Sequence, residues 1–331
     1  MTSCPAREVI HHMLNSLDGL AAEFEQHRAR LRAVAYHMTG SLAEAEDAVQ
    51  EAWLRLSRTD PAGIDNLPGW LTAVVARLCL DVLRARAVRP EDPARRRLPD
   101  PVLSGPDGVG PEQQALLADS VGLAMLVVLD TLSAAERTAF VLHDVFAVPF
   151  EDIARLAGRS TNAMKQLASR GRRRVRDGVP RPDPDPTRRR AVADAFFAAA
   201  REGDFDALLA VLDPDVVVRA DLGPAQTLRT LRGAHAVARE AARFARLTHE
   251  LRPVLVNGGA GRIAIRGGAP FAVLGLTVAD GRVAALDVIV GPHRLRALGI
   301  SLTEVARSAG TAPLSAPGES SGGGNGRAGL R

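Results

Sequence analysis

Residues 151–175 read EDIARLAGRSTNAMKQLASRGRRRV: a short apolar helix pattern, a glycine, a serine, and a second helix that becomes strongly basic. Ile153, Leu156 and Ala157 mark the inner face of the first helix. Gly158 permits the reversal, and Ser160 is placed to cap the second helix, whose inner face is Met164, Leu167 and Ala168. This is helix-turn-helix grammar, in which the second helix enters the major groove with its N-terminal residues against base edges. Ser160, Thr161, Asn162, Lys165, Gln166 and Ser169 are the expected readers; Arg170, Arg172, Arg173, Arg174 and Arg176 are the expected phosphate contacts. The competing reading is a solvated basic face on a helical hairpin, and the agreement of cap, turn and charge placement favours DNA. Gly171 is anomalous, because glycine inside a helix costs about 1 kcal/mol relative to alanine.

Working outward, 331 residues exceed one ordinary core and imply two or three domains. Net charge is only +4, and Lys165 is the sole lysine, so arginine positions carry more information than arginine number. Cys4 and Cys79 form neither a disulfide framework nor a metal pair, which suits a cytoplasmic chain without a cofactor. The longest uncharged apolar run, VGLAMLVVL at 121–129, is about half of the roughly 20 residues a membrane helix needs, so no membrane span is expected.

Pro-, Gly- and charge-rich stretches at 88–111 and 177–186 read as linkers, and the Gly/Ser-rich end, 306–331, as a disordered tail. They separate an all-α domain at 18–87, a second all-α domain at 112–176, and a third domain at 187–305. In the first, Ser41 and Glu44 have capping-box spacing, and the helix they open turns Asp47, Gln50, Glu51 and Arg55 outward. The next helix starts near Pro68, with Trp70, Leu71, Val74, Val75, Leu78 and Val82 expected inside and Arg77 and Arg84 outside. Ser133 and Glu136 repeat the capping spacing in the second domain. The third domain passes from helices to strands parted by Gly-rich turns, the pattern of an α+β layer with an antiparallel sheet.

EAEDAVQEAWLRL and LPGWLTAVVARLCLDVLRAR resemble region 2 of bacterial sigma factors of the extracytoplasmic-function (ECF) group, and the helix-turn-helix resembles their region 4. Residues 18–176 follow the order of that family. The resemblance implies two partners, core RNA polymerase and promoter DNA. It places Asp47, Gln50 and Glu51 on the polymerase-binding positions, and Asp65 and Asn66 where an unstacked minus-ten base is captured. Arg77 and Arg84 are expected to track the opened strand, and the Ser160–Arg173 face to read the minus-thirty-five element.

The third domain resembles the SnoaL-like, NTF2-like cone fused to one subgroup of these factors, which implies a regulatory domain; the short linker 177–186, stiffened by Pro180, Pro182, Pro184 and Pro186, is expected to hold that cone near the sigma domains of a monomer. RRRLPDPVL, RADLGPAQ (219–226) and VIVGPHRL (288–295) are the counterparts of that subgroup's three short motifs, all divergent. Related cones include enzymes, and Asp221, His235, Asp287 and His293 are the groups available for acid–base work, but no pair has a diagnostic spacing. The alternative function is a one-component helix-turn-helix regulator whose cone senses a ligand; the acidic face beside a strand-opening helix argues against it.

Overall fold

The computed structural model describes residues 5–60, 63–88, 97–105, 122–178, 180–223, 228–246 and 250–300. Helix α1 (Pro5–Thr39) ends at Gly40, whose φ of +71° is a left-handed turn that glycine takes without a steric penalty. Helix α2 (Leu42–Leu56) starts under Ser41, whose hydroxyl accepts the Glu44 N–H at 3.5 Å. The reciprocal half of the expected capping box is absent. Arg86 of α3 (Leu67–Val88) holds the Glu44 carboxylate, and Thr39 Oγ1 accepts the Ser41 N–H at 3.3 Å instead. At Ser133 the box is complete and opens α5 (Ala134–Phe140).

Helix α3 is rotated from the expected face. Leu71, Val75, Ala76, Cys79, Leu80 and Leu83 are buried, while Trp70, Val74 and Leu78 are only partly covered. The reason is that α3 packs on two sides, against α1 and α2 and against α6 (Phe150–Ala157) of the second helical domain.

That domain comprises α4 (Leu123–Leu129), α5, a π-helical turn (Val141–Val145), α6 and α7 (Thr161–Gly178). Helices α6 and α7 form the expected pair, with Gly158 at φ +67° and Ser160 Oγ accepting the Ala163 N–H at 3.2 Å. The anomaly at Gly171 is explained by α5. A Cβ there would stand 3.1 Å from Phe140 Cβ and 3.4 Å from Glu136 O, so glycine permits the close crossing. The two helical domains share one continuous core. His37 of α1 meets the Phe146 ring edge-on at 5.5 Å, and buried Arg137 of α5 donates to His37 O at 3.2 Å while pairing with Asp130.

The third domain packs α8 (Pro186–Glu202), α9 (Phe205–Val211) and α10 (Ala234–Ala245) on one sheet face. Its strands are β2 (Leu212–Asp221), β3 (Arg229–Arg232), β4 (Glu250–Val256), β5 (Gly259–Arg266), β6 (Ala269–Ala279) and β7 (Arg282–Val290), followed by α11 (Pro292–Ala297). Strand β1 (Leu103–Ser104) joins them, giving the order β1-β4-β5-β6-β7-β2-β3. The sheet is mixed, which corrects the antiparallel expectation. Consecutive hairpins make β4 to β7 antiparallel, but the long return through β3 and α10 lays β7 parallel to β2.

Both segments read as linkers touch this sheet. Leu98 and Val102 are buried, and β1 pairs with β4. Leu98, with Leu123 of α4, helps cover the outer sheet face formed by Val254, Val256, Ile263, Val273 and Ile289. In the second, the Asp183 N–H donates to Val278 O at 2.9 Å, and its carboxylate accepts the Gly281 N–H at 2.9 Å. Residues 89–96 and 106–121, and the expected tail 306–331, lie outside the described residues.

Replacing Gly171 by Leu raises helix propensity yet overfills the α5–α7 crossing. Urea unfolding should show a loss of about 1–3 kcal/mol. A gain in stability would mean that the helices separate freely at this point.

Candidate nucleic-acid interface

Helix α7 presents Asn162, Lys165, Gln166, Ser169, Arg170 and Arg173 to solvent, with Ser160 exposed at its cap and Thr161 half-buried. Asn162, Gln166, Ser169 and Arg173 follow one another at helical spacing along a single face. The basic residues divide in two. Arg174 bonds to Glu136 at 2.8 Å, with Arg170 3.8 Å from the same carboxylate, and Arg172 bonds to Asp144 at 2.7 Å. Arg173 has no carboxylate partner among the described residues. Burial pushes the Glu136 carboxyl up, but hydrogen bonds from Ser133 and the charges of Arg174 and Arg170 outweigh it and leave it below its ordinary range. Glu136, legible in sequence only as a cap, thus also anchors α7 to α5.

On α3, Asn66 acts as a cap, its Oδ1 accepting the Gly69 N–H at 3.0 Å. Asn66, Trp70 and Arg77 line a cleft of about 780 Å³ whose opposite wall is the π turn and α6. Asp65 is exposed beside them. Arg84 lies further along α3 and donates to Ala157 O at 3.4 Å, at the C-terminus of α6. Three of the four strand-opening candidates, Asn66, Arg77 and Arg84, therefore face the second helical domain.

On α2, Asp47 and Gln50 are exposed, and Glu51 is bonded by Arg55 at 2.9 Å. Leu54, 44% exposed, stands beside them, and its signal in sequence was only its place off the inner stripe.

A buried polar joint connects the first domain, the linker and the cone. Tyr36 donates to Asp100 O at 2.6 Å and accepts from Asn257 Nδ2 at 2.8 Å. The Asp100 N–H donates to Gly40 O at 2.9 Å, and its carboxylate accepts the Leu42 N–H at 3.0 Å. Asp221 accepts the Leu98 N–H at 3.1 Å and a bond from Arg294, which also reaches Leu98 O and lies 3.4 Å from Asp100. Burial lowers the Arg294 guanidinium pKa, with Asp100 opposing the shift; burial likewise raises Tyr36. The three divergent motifs thus meet at one point, a convergence that their separation in sequence conceals.

The cone's candidate acids and bases do not assemble. Asp221 lies in the joint, Asp287 pairs with Arg219 at 2.6 Å, and His235 is exposed near Phe205. The His293 side chain lies outside the described residues. The inner cavity, about 150 Å³, is lined by apolar residues such as Phe196, Phe197, Leu274 and Leu286, and among the described residues its one lining carboxylate is Glu240. Among the described residues no cluster suits a metal ion, and no helix is long and apolar enough to cross a membrane.

Residues 24–89 match Sigma-70 region 2, residues 123–175 match Sigma-70 region 4, and residues 193–291 match the SnoaL-like domain. ECF RNA polymerase sigma factor SigJ of Mycobacterium tuberculosis is 39% identical over 294 residues, covering 82% of this chain and 92% of that protein. A probable ECF RNA polymerase sigma factor of the same species, SigI, is 34% identical over 86% of this chain and 98% of its own. The crystal structure of SigJ superimposes with a TM-score of 0.68 at 36% identity, covering 83% of this chain and 98% of SigJ. With both helical regions, the cone and their order held in common over nearly the whole of these relatives, the chain belongs to the ECF RNA polymerase sigma factors that carry a C-terminal SnoaL-like domain.

Proposed function

We propose that the chain docks on core RNA polymerase through Asp47, Gln50 and Glu51 and reads a minus-thirty-five element with the Ser160–Arg173 face. It opens the minus-ten element through Asp65, Asn66, Arg77 and Arg84. The cone acts as a regulatory domain without turnover, in a cytoplasmic monomer. The domain limits taken from the sequence, 18–87, 112–176 and 187–305, serve as the working units.

One observation carries this reading: access is unequal. The docking face with Asp47, Gln50 and Leu54 stands open, whereas Asn66 and Arg77 look across a cleft at α6 and Arg84 is bonded to it. A protein at rest in this form meets polymerase first, and docking supplies the free energy that parts the helical domains. The Asp100 joint opposes that parting, so regulation follows from how strongly the cone prefers the closed state. The absence of turnover is supported by the engagement of Asp221 and Asp287 on the outer side of the sheet, away from the cavity. An operator-binding regulator has no use for an acidic docking face.

Arg173→Ala should lower promoter affinity about equally across sequences and flatten the salt dependence by roughly one unit of log slope, as loss of one phosphate contact requires. Lys165→Ala or Gln166→Ala should instead relax preference at one minus-thirty-five position by about 1–3 kcal/mol. Binding selections that return the parent preference in both would exclude direct readout. Asp47→Ala with Gln50→Ala should weaken polymerase pull-down while the circular dichroism spectrum stays native; unaltered affinity would remove the docking assignment.

Tyr36→Phe removes the hydroxyl shared by Asp100 and Asn257 and should destabilise the closed state by about 1 kcal/mol. Arg294→Ala leaves Asp221 buried without its partner and should cost about 3–5 kcal/mol. Small-angle scattering should show a compact parent and progressively looser variants, with promoter-dependent transcription changing in the same order and on truncation at Asp185. Freely tumbling domains in the parent, with equal transcription by all forms, would overturn the regulatory reading.

A further inference from the structure

The cleft between the helical domains has the composition of a ligand site. Its volume, about 780 Å³, falls in the roughly 300–1,000 Å³ range of small-molecule pockets. Its floor is apolar, with Val74, Ile153 and Leu156, and the half-buried Trp70 stands beside it. Among the described residues that line it, Arg30, Arg55, Arg77 and Arg155 come from four different helices against one carboxylate, Asp152, which Arg155 holds; Arg55 is bonded to Glu51 at 2.9 Å just outside, and Arg30 donates to Phe146 O at 3.0 Å. The wall contributed by the second domain is also irregular: it follows a π-helical turn, and Ala147, a non-glycine residue, sits at φ +56°. Such departures persist only where the surroundings over-determine them, and they gather at functional sites and ligand clamps.

An apolar floor beside an indole selects a planar body, and a rim of guanidiniums selects phosphate, which the planar fork grips through paired N–H donors. We infer that this cleft binds a nucleotide, its base laid on the apolar floor against Trp70 and its phosphates on the arginine rim. Arg30, Arg55 and Arg77 belong to the first domain and Arg155 to the second, so the complete site exists only while the two are together. A bound nucleotide therefore favours the closed arrangement by its difference in affinity between the two states. The binding is read from the cleft as it stands; its effect on promoter access rests on the function proposed above.

The test titrates the full-length chain with GTP and with ATP, and with guanosine and inorganic phosphate as the two halves of the ligand. Binding is followed by calorimetry and by Trp70 fluorescence in a Trp53→Phe background. The nucleotides should bind saturably, and each half at least about tenfold more weakly. Arg155, whose side chain is 80% exposed, can be replaced without loss of fold, as circular dichroism would verify. Arg155→Ala should weaken binding by about tenfold or more, through loss of a charged hydrogen bond and release of Asp152 to repel phosphate. Asp152→Asn should tighten it. No saturable binding by the folded parent, phosphate binding as tightly as GTP, or binding indifferent to both substitutions would overturn the assignment. Those results leave the polymerase-docking and promoter assignments to be judged by pull-down and binding selections alone, and unaltered pull-down of the Asp47→Ala, Gln50→Ala variant would leave arginine-dependent nucleotide binding standing.

Discussion

The last turn of an α-helix leaves carbonyl oxygens without intrahelical partners and gathers the negative end of the helix dipole. Two of those oxygens of α1, and the carbonyl of Gly40 just beyond it, are satisfied from other parts of the chain. His37 O accepts from Arg137 of the second helical domain at 3.2 Å, Thr39 O from Arg86 of α3 at 3.0 Å, and Gly40 O from the Asp100 N–H of the linker at 2.9 Å. Three parts of the chain thus cap one helix end, two of them with cations suited to the dipole. Arg137 is buried there and stays paired with Asp130, since an uncompensated charge at such depth would be costly. The interdomain geometry depends on this end of α1, because separating the domains uncovers its carbonyls and the ring contact between His37 and Phe146.

The cone uses its sheet from both sides. Alternation along β2 and β7 sends Val218, Leu286 and Val288 inward to the core under α8 and α10, and sends Arg219, Asp221 and Asp287 to the opposite face. Linker residue Leu98 and α4 residue Leu123 lie on that opposite face as well. The carboxylates that a sequence reader would offer to an active site are joints instead: Asp221 holds the linker, and Asp287 neutralises a half-buried arginine. The outer face of this cone is spent on contacts with the rest of the chain.

Much of the fold was legible because it follows local rules. Helix period, the Ser133 box, Gly158 and the Ser160 cap each depend on residues within one or two turns, and each is present as read. Where local reading failed, a distant group had intervened. Glu44 has the spacing of a capping box but is taken by Arg86, from the far end of the next helix. Trp70 and Val74 looked like core, yet α3 is covered on two sides and these residues border the cleft between them. The strand pattern implied hairpins and gave them, but the parallel pairing of β2 with β7 is a matter of chain return that period cannot encode.

The same division runs through the candidate sites. Sequence alone determined which residues stand on the outer faces of α2 and α7, because amphipathic period decides that without reference to any neighbour. It also determined the family, through the order of the acidic helix, the arginine-bearing helix that follows it and the helix-turn-helix. Only the tertiary structure decided which arginines of α7 are committed to Glu136 and Asp144, and which, like Arg173, remain open. It alone brought Leu98, Asp100, Asp221, Asn257 and Arg294 to one joint and set α3 facing α6. The physical reason is that buried polar groups must find partners wherever the folded chain supplies them, and those partners are distant in sequence, 28 residues for Arg172 and Asp144 and 123 for Leu98 and Asp221.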